Sequence, residues 1–322
     1  MKLQNISTSL RRAALISSLM LSGVIGFTQV TDSTAAAEEP AKPARLKPVK
    51  NTFESQWIID NQTVMVPIKK TFEMDIMHRF GTVKNGYDDF WGFFAPSNIR
   101  LGVSYAPIDK LSLGVGITKS NMLWDGSAKY SIIQQTKGKY PISVTYYGNV
   151  SYDTRKDEDG SLFRYRSDRV MFYNSLILAR KINDKLSVQL APNISHQNSV
   201  YGYYNQVDSA TKVIAREMEH NHWGVGISAR YKLTTVTSIL VNYDQPLTSA
   251  EGFKWLFGKH QTNNPRPNIS FGFEFSTGSH AFQLFAGNYS FLSPQRNNLF
   301  NKNDYKHGEF LIGFNVTRLW NY

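Results

Sequence analysis

The chain of 322 residues has no cysteine. That absence excludes a disulfide scaffold, cysteine-based zinc sites and thiol nucleophiles, and also the lipidated cysteine a bacterial lipoprotein needs. A hydrophobic run of membrane-helix length is missing too. The apolar stretch from Ala13 to Phe27 is roughly 15 residues, against about 20 for a spanning helix. A mean hydropathy of -0.35 is too polar for a bundle of such helices. No stretch keeps a helical period. The net charge of +11 does not gather into a basic face; positive residues fall near turns and in loops among acids, which speaks against nucleic acid as a partner. Catalytic signatures are also lacking. There is no Gly-x-Ser-x-Gly, Walker or dinucleotide motif, no His-x-Ser of the kind barrel lipases carry, and Ser195-His196 has the wrong spacing for one strand face. The expectation is a protein that is not an enzyme and has no cofactor.

What is present begins with an export signal. Lys2, Arg11 and Arg12 precede the apolar run, and Ala35-Ala36-Ala37 supplies a small-residue cleavage site, so residues 1–37 read as a signal peptide. Residues 38–52 carry Pro40, Pro43 and Pro48 among Lys and Arg and read as a flexible periplasmic tether. The folded domain is expected over residues 53–322.

In that domain the hydrophobic period is two. Phe72, Met74, Ile76 and Phe80 alternate with Glu73, Asp75 and Arg79; Ile99, Leu101, Val103 and Tyr105 with Arg100, Gly102 and Ser104. Leu111 to Thr118 and Phe310 to Thr317 repeat the pattern. Reading on gives about 12 strands. Tight connections at Pro107-Ile108-Asp109, Thr136-Lys137-Gly138, Ile182-Asn183-Asp184, Lys232-Leu233-Thr234 and Ser276-Thr277-Gly278 alternate with longer ones at 81–97, 119–125, 153–168, 197–221, 244–267 and 292–306. Loops sorted by length onto one end, with an even strand number, predict a closed antiparallel transmembrane β-barrel. Hydrocarbon offers the backbone no hydrogen-bond partner, so a sheet that spans it must close on itself. Aromatics make up 13% of the chain. Phe72, Phe80, Tyr105, Tyr231, Trp320 and Tyr322, with Trp223, Tyr289 and Phe291 at the other end, are placed where headgroups would be. The final strand, with Trp320 and Tyr322, resembles the C-terminal signal read by the barrel-assembly machinery of an outer membrane.

Candidate functional residues are few. Glu73, Asp75, Arg79, Arg100, Glu274 and Glu309 are expected to line the lumen, as an ion-pair network or as a selectivity determinant. His196, His220 and His222 are a weak candidate for a metal site at the rim, with His220 and His222 on one strand face; the blander alternative is water-bonded loop histidines. Asp153, Asp157, Glu158, Asp159 and Gly160 do not keep calcium-loop spacing. The loop with Tyr87, Phe90, Trp91, Phe93 and Phe94 would fold into the mouth or meet a partner. Phe53 to Met65 is a candidate plug or lid. A barrel of about 12 strands tilted about 40° has a backbone radius of roughly 12–13 Å, and Gly102, Gly114, Gly116, Gly224, Gly226, Ser228 and Gly313 would leave room for small solutes.

The segments His78-Arg79-Phe80-Gly81, Asn98 to Val103 and Leu111 to Gly116, with Asp125-Gly126, Lys129-Tyr130 and Gln134-Gln135, resemble an uncharacterised β-barrel family of Bacteroidetes, a domain of unknown function. The resemblance covers most of the mature chain and implies an outer-membrane-type barrel, without substrate, cofactor or catalytic residue. The functional expectation is an outer-membrane channel or transporter-like pore for small solutes; the alternative is a non-conducting barrel that engages an envelope partner through its loops. Expected partners are outer-membrane lipid and lipopolysaccharide, the assembly machinery, and a small solute.

Overall fold

The computed structural model describes residues 46–160, 162–200, 202–204, 214–217, 219–249, 252–253 and 264–322. The expected signal peptide and the tether as far as residue 45 lie outside the described residues. Twelve strands form one closed barrel: β1 Thr71–Thr82, β2 Asn98–Ile108, β3 Leu111–Thr118, β4 Leu123–Ile133, β5 Ser143–Asp153, β6 Val170–Lys181, β7 Leu186–Gln197, β8 Asn221–Lys232, β9 Thr237–Pro246, β10 Asn268–Ser276, β11 His280–Gly287 and β12 Leu311–Asn321. Each is antiparallel to its sequence neighbours, and β12 closes the ring on β1, with Val316 opposite Ile76 and Trp320 opposite Phe72. Closure leaves no sheet edge with unpaired backbone groups, the condition for crossing hydrocarbon. No described helix is long and apolar enough to cross a membrane.

The two-residue period places the faces as expected. Along β1, Thr71, Glu73, Asp75, Met77 and Arg79 are buried, while Phe72 is exposed and Met74, Ile76, His78 and Phe80 are half-buried. Leu101, Val103, Val115, Ile117, Val241, Phe273 and Leu284 present an apolar outer surface. The inner face is polar: Asn149, Gln189, Asn193, Asn242, Ser270, Gln283 and Asn315 are all buried. This is the reverse of a soluble protein, and it follows from the two solvents a transmembrane barrel separates.

Loop length sorts less cleanly than the sequence suggested. The β3–β4 connection, expected to run to Asp125, is only Lys119–Met122, because β4 starts at Leu123. Asp125, the last residue of the connection expected from sequence, is a strand residue opposite Gly116. Conversely, the turn at Thr136-Lys137-Gly138 lies within a longer excursion from β4 to β5 that forms its own small hairpin between Thr136 and Tyr140. The start of β1 and the end of β12 meet at the turn end. Tyr322 N–H donates to the Lys70 carbonyl, and Lys70 N–H to that of Ala106.

Candidate functional site: a polar lumen filled by the chain itself

The lumen holds the segment that precedes β1. From Pro48, which bridges to Thr136, the chain enters at the turn end and buries Thr52, Phe53, Ser55, Gln56, Trp57, Ile58, Ile59, Thr63 and Val64. Trp57–Ile58 pairs with Asn61–Gln62 in a minimal hairpin, with Ile59 and Asp60 as its turn. The candidate plug is therefore inside the barrel. Its apolar side chains build the core there: Phe53, Ile58, Ile59 and Val64 pack with Tyr147, Tyr173, Ile177, Leu240 and Phe285 of the wall, and Trp57 with Met77 and Leu292. Fully burying each such side chain is worth about 1.5–3 kcal/mol.

Polar contacts fix the plug's position. Wall amides read its backbone. Asn242 donates to the Ile58 carbonyl at 2.7 Å, Asn315 to that of Ile59 at 2.8 Å, Gln283 to that of Trp57 at 2.9 Å and Gln189 to that of Gln62 at 2.8 Å. Lys129 Nζ reaches the carbonyls of Gln56 and Met65, both at 3.2 Å. Two ion pairs join plug to wall: Asp60 with Arg79 at 2.9 Å and Glu54 with Arg230 at 3.2 Å. Donors and acceptors thus converge from β1, β4, β7, β8, β9, β11 and β12, all around the ring. Between plug and wall lies a polar cavity of about 20 Å³ beside Gln56, Glu73 and Lys129, room for about one water.

The charged residues expected in the lumen divide into groups. Asp75 and Arg100 are buried together, and Arg100 also holds Asp125; the distances are 2.5 and 2.9 Å. Asn149 donates to Asp125 at 3.0 Å, and the Arg100 guanidinium lies 5.5 Å from the centre of the Trp57 ring. Glu274 pairs with Arg230 at 2.9 Å. Glu73 is buried on the same face. Glu309 is not on the wall. It lies in the loop before β12 and pairs with the exposed Lys84 at 2.7 Å. That hydrogen bond and a second from the Asp304 backbone N–H hold its carboxyl below the usual range. The odd-numbered face of β12 does continue back to residue 309, but the strand begins only at Leu311. Sequence reasoning missed Asp125, Lys129, Arg230 and Asp244. The signal was there: the alternation of Trp124, Ala128 and Tyr130 with Asp125, Ser127 and Lys129 marks β4.

The lumen glycines do not leave a passage. A Cβ on Gly226 would sit 2.8 Å from the Asp244 carboxylate, and one on Gly313 would sit 2.9 Å from the Arg79 side chain. On Gly102 and Gly116 it would collide with the Arg100 guanidinium. Each glycine is missing its side chain so that a neighbour's long one can lie flat along the wall. The loop end is filled as well. The connection after β11 folds inward as α1, Pro294–Phe300. Gln295 donates to Asn149 Oδ1 and Asn298 to Asn193 Oδ1, both at 2.6 Å. Tyr289, placed by sequence in an interfacial girdle, is buried in this connection at 3% exposure. The aromatic loop between β1 and β2 does not enter the mouth: Tyr87 and Phe94 are largely exposed, and Phe93 packs on Phe80 at 4.5 Å.

The three histidines do not converge. His222 faces inward and contacts the Glu219 carbonyl. His220 precedes β8, is exposed, and contacts the Gln197 carbonyl. It stacks on His196 at 5.9 Å between ring centres. No cluster suited to a metal ion is found among the described residues. His220 and His222 do not share a strand face because the strand begins only at Asn221. In the acidic loop, Asp153 binds Arg155 and Asp157 accepts from the Leu162 and Phe163 backbone, so these carboxylates organise their own loop.

A closed antiparallel wall, apolar outside and polar inside, with its own N-terminal segment seated in the lumen, defines a transmembrane β-barrel with an internal plug. Residues 53–320 match the model of the family described as Membrane bound beta barrel domain (DUF5777), and the chain belongs to that family. No curated protein matches it. Among solved structures it is similar to the NanC porin, with 9% identity over 78% of this chain and 99% of that one at a TM-score of 0.42. It is also similar to the KdgM porin, with 10% identity over 78% and 99% at 0.41. A third is the COG4313 outer membrane channel from Pseudomonas putida F1, with 13% identity over 80% and 97% at 0.43.

Proposed function

We propose that this protein is a non-enzymatic, channel-like barrel of a Gram-negative outer membrane, exported through a cleaved signal peptide, that passes small solutes when its N-terminal plug is displaced. The observation that carries the reading is the inner wall. Around the apolar residues that hold the plug's side chains, it is lined with amides, hydroxyls and charges that read the plug's backbone. A wall of that kind stays solvated when the plug moves. Lipid and lipopolysaccharide are the surrounding partners in this reading, and the strand ending in Trp320 and Tyr322 is what the assembly machinery engages.

The absence of cysteine makes a direct test available. Ser55 Oγ of the plug and Thr317 Oγ1 of β12 are 3.4 Å apart, so the S55C/T317C double variant ties plug to wall by a disulfide. In planar bilayers the oxidised variant should be silent, and the reduced one should show steps under voltage or added solute. Identical traces in the two redox states would sink the gate.

A second reading is favoured by the exposed aromatic loop, with Tyr87, Phe90, Trp91 and Phe94 in the open: a barrel that stays closed and holds an envelope partner there. Electrical silence of the reduced variant, with a correctly heat-modifiable barrel, would favour it.

A further inference from the structure

The tip of the plug fills a site whose chemistry suits something else. Asp60 places its carboxylate 2.9 Å from the Arg79 guanidinium, and the next residue, Asn61, donates to Asp244 at 2.7 Å. These two wall groups differ from Arg100 and Arg230. Arg100 is neutralised by carboxylates of the wall, and Arg230 has Glu274 of the wall besides Glu54 of the plug. Arg79 has its ion-pair partner on the plug. Its Nε has no hydrogen-bond partner, although the residue is 1% exposed. Among the described residues Asp244 is held by two amides, Asn61 of the plug and Asn268 of the wall. The two sites adjoin on one polar surface, because Ser270 Oγ, which donates to Asn268 at 3.0 Å, also lies 3.5 Å from the Asp60 carboxylate.

The wall is shaped for these groups independently of the plug. Gly313 makes room for the Arg79 side chain and Gly226 for Asp244. Phe285 stacks under the guanidinium at 4.4 Å, and Asn315 accepts from it at 2.9 Å. The plug, in contrast, is strained to reach. Ile59, next to Asp60, has φ of 54°, a left-handed conformation that a β-branched residue adopts only when its surroundings impose it. A wall cation stacked on an aromatic and a wall carboxylate, reached by two consecutive residues of the plug turn, accept an anionic group and a cationic group of one small molecule.

We propose that Arg79 and Asp244 form the lumen's binding site for a small zwitterionic solute of the amino acid or short peptide class, and that Asp60-Asn61 occupies it as an internal stand-in. The carboxylate of the solute replaces Asp60 on Arg79, and its ammonium replaces the Asn61 amide on Asp244. The ammonium carries a full charge where the amide carries a partial one, so the solute competes with the tip and loosens the plug. This rests on the channel reading above and names the solute class for it.

The test uses the full mature chain in lipid vesicles, with a spin label on the single cysteine of a Met65→Cys variant and L-alanyl-L-alanine as probe. The dipeptide should raise label mobility in the millimolar range. N-acetyl-alanine, which lacks the ammonium, and alanine amide, which lacks the carboxylate, should each need at least about tenfold more. Asp60→Ala, which removes the internal competitor, should lower the half-effect concentration of the dipeptide by about tenfold. Equal potency of the three probes, or no response to the dipeptide at about a hundred times the expected concentration, overturns the proposal. So does an Asp60→Ala variant with unchanged sensitivity. Silence of the disulfide-gated variant bears on the channel alone, since label mobility reports binding without conduction.

Discussion

Arg100 shows how a single residue organises this lumen. It lies flat along the wall in the space left by Gly102 and Gly116, bonded to Asp75 on β1 and Asp125 on β4, and Trp57 of the plug faces its guanidinium. Two carboxylates converge on one guanidinium. Removing the cation leaves both buried without it, which costs more than the pair contributes when intact. Arg100→Ala is therefore expected to destabilise the refolded barrel by about 3–5 kcal/mol, read as a lower urea midpoint of the heat-modifiable band. A midpoint that does not move would show that water replaces the guanidinium at no cost.

The plug is an element not hydrogen-bonded into the barrel sheet. Its hairpin pairs only with itself, so its stability is separable from that of the ring. Ile58 is 1% exposed and packs in the lumen core. Truncating such a side chain costs about 2–5 kcal/mol, and here that loss falls on the seating of the plug. Ile58→Ala should thus expose residues 52–65 to protease from the turn end while the barrel keeps its gel mobility. If the gel shift of the barrel falls in parallel with plug protection, plug and wall unfold as one unit. The inward α1 segment sits differently, on a few amide contacts to β5 and β7, and is a constriction rather than a seal.

At the scale of the whole molecule, closure is the decisive feature. β12 pairs with β1 from Leu311 to Asn321, and every other strand depends on that seam, because an open edge in lipid leaves unpaired N–H and C=O groups. A chain truncated after Phe310 is expected to give no heat-modifiable species on refolding, in contrast to the point variants above. Recovery of a shifted band from that chain would mean that β11 can close on β1 directly, as a narrower ring. The same closure brings the start of β1 and the end of β12 to one end, where the segment that precedes β1 enters the lumen.

The ring was legible in the sequence: about twelve strands, their order, and which side chains face lipid. That information is local, since a period of two states the face of each residue, and two solvents make the faces chemically distinct. Errors arose where the local signal is ambiguous, as at Asp125, whose charge suits a loop and a lumen wall equally, and at Glu309, one turn of alternation beyond the strand. The plug was legible as a candidate because Trp57, Ile58 and Ile59 are too apolar for a solvated tether. Which wall groups receive it was decided only by tertiary structure. Asp60 meets Arg79, while Asn61 meets Asp244, 183 residues further along the chain. The curvature of a closed sheet brings such pairs together, and the divergence of His222 from His196 and His220 follows from where a strand starts. Period and composition carry neither.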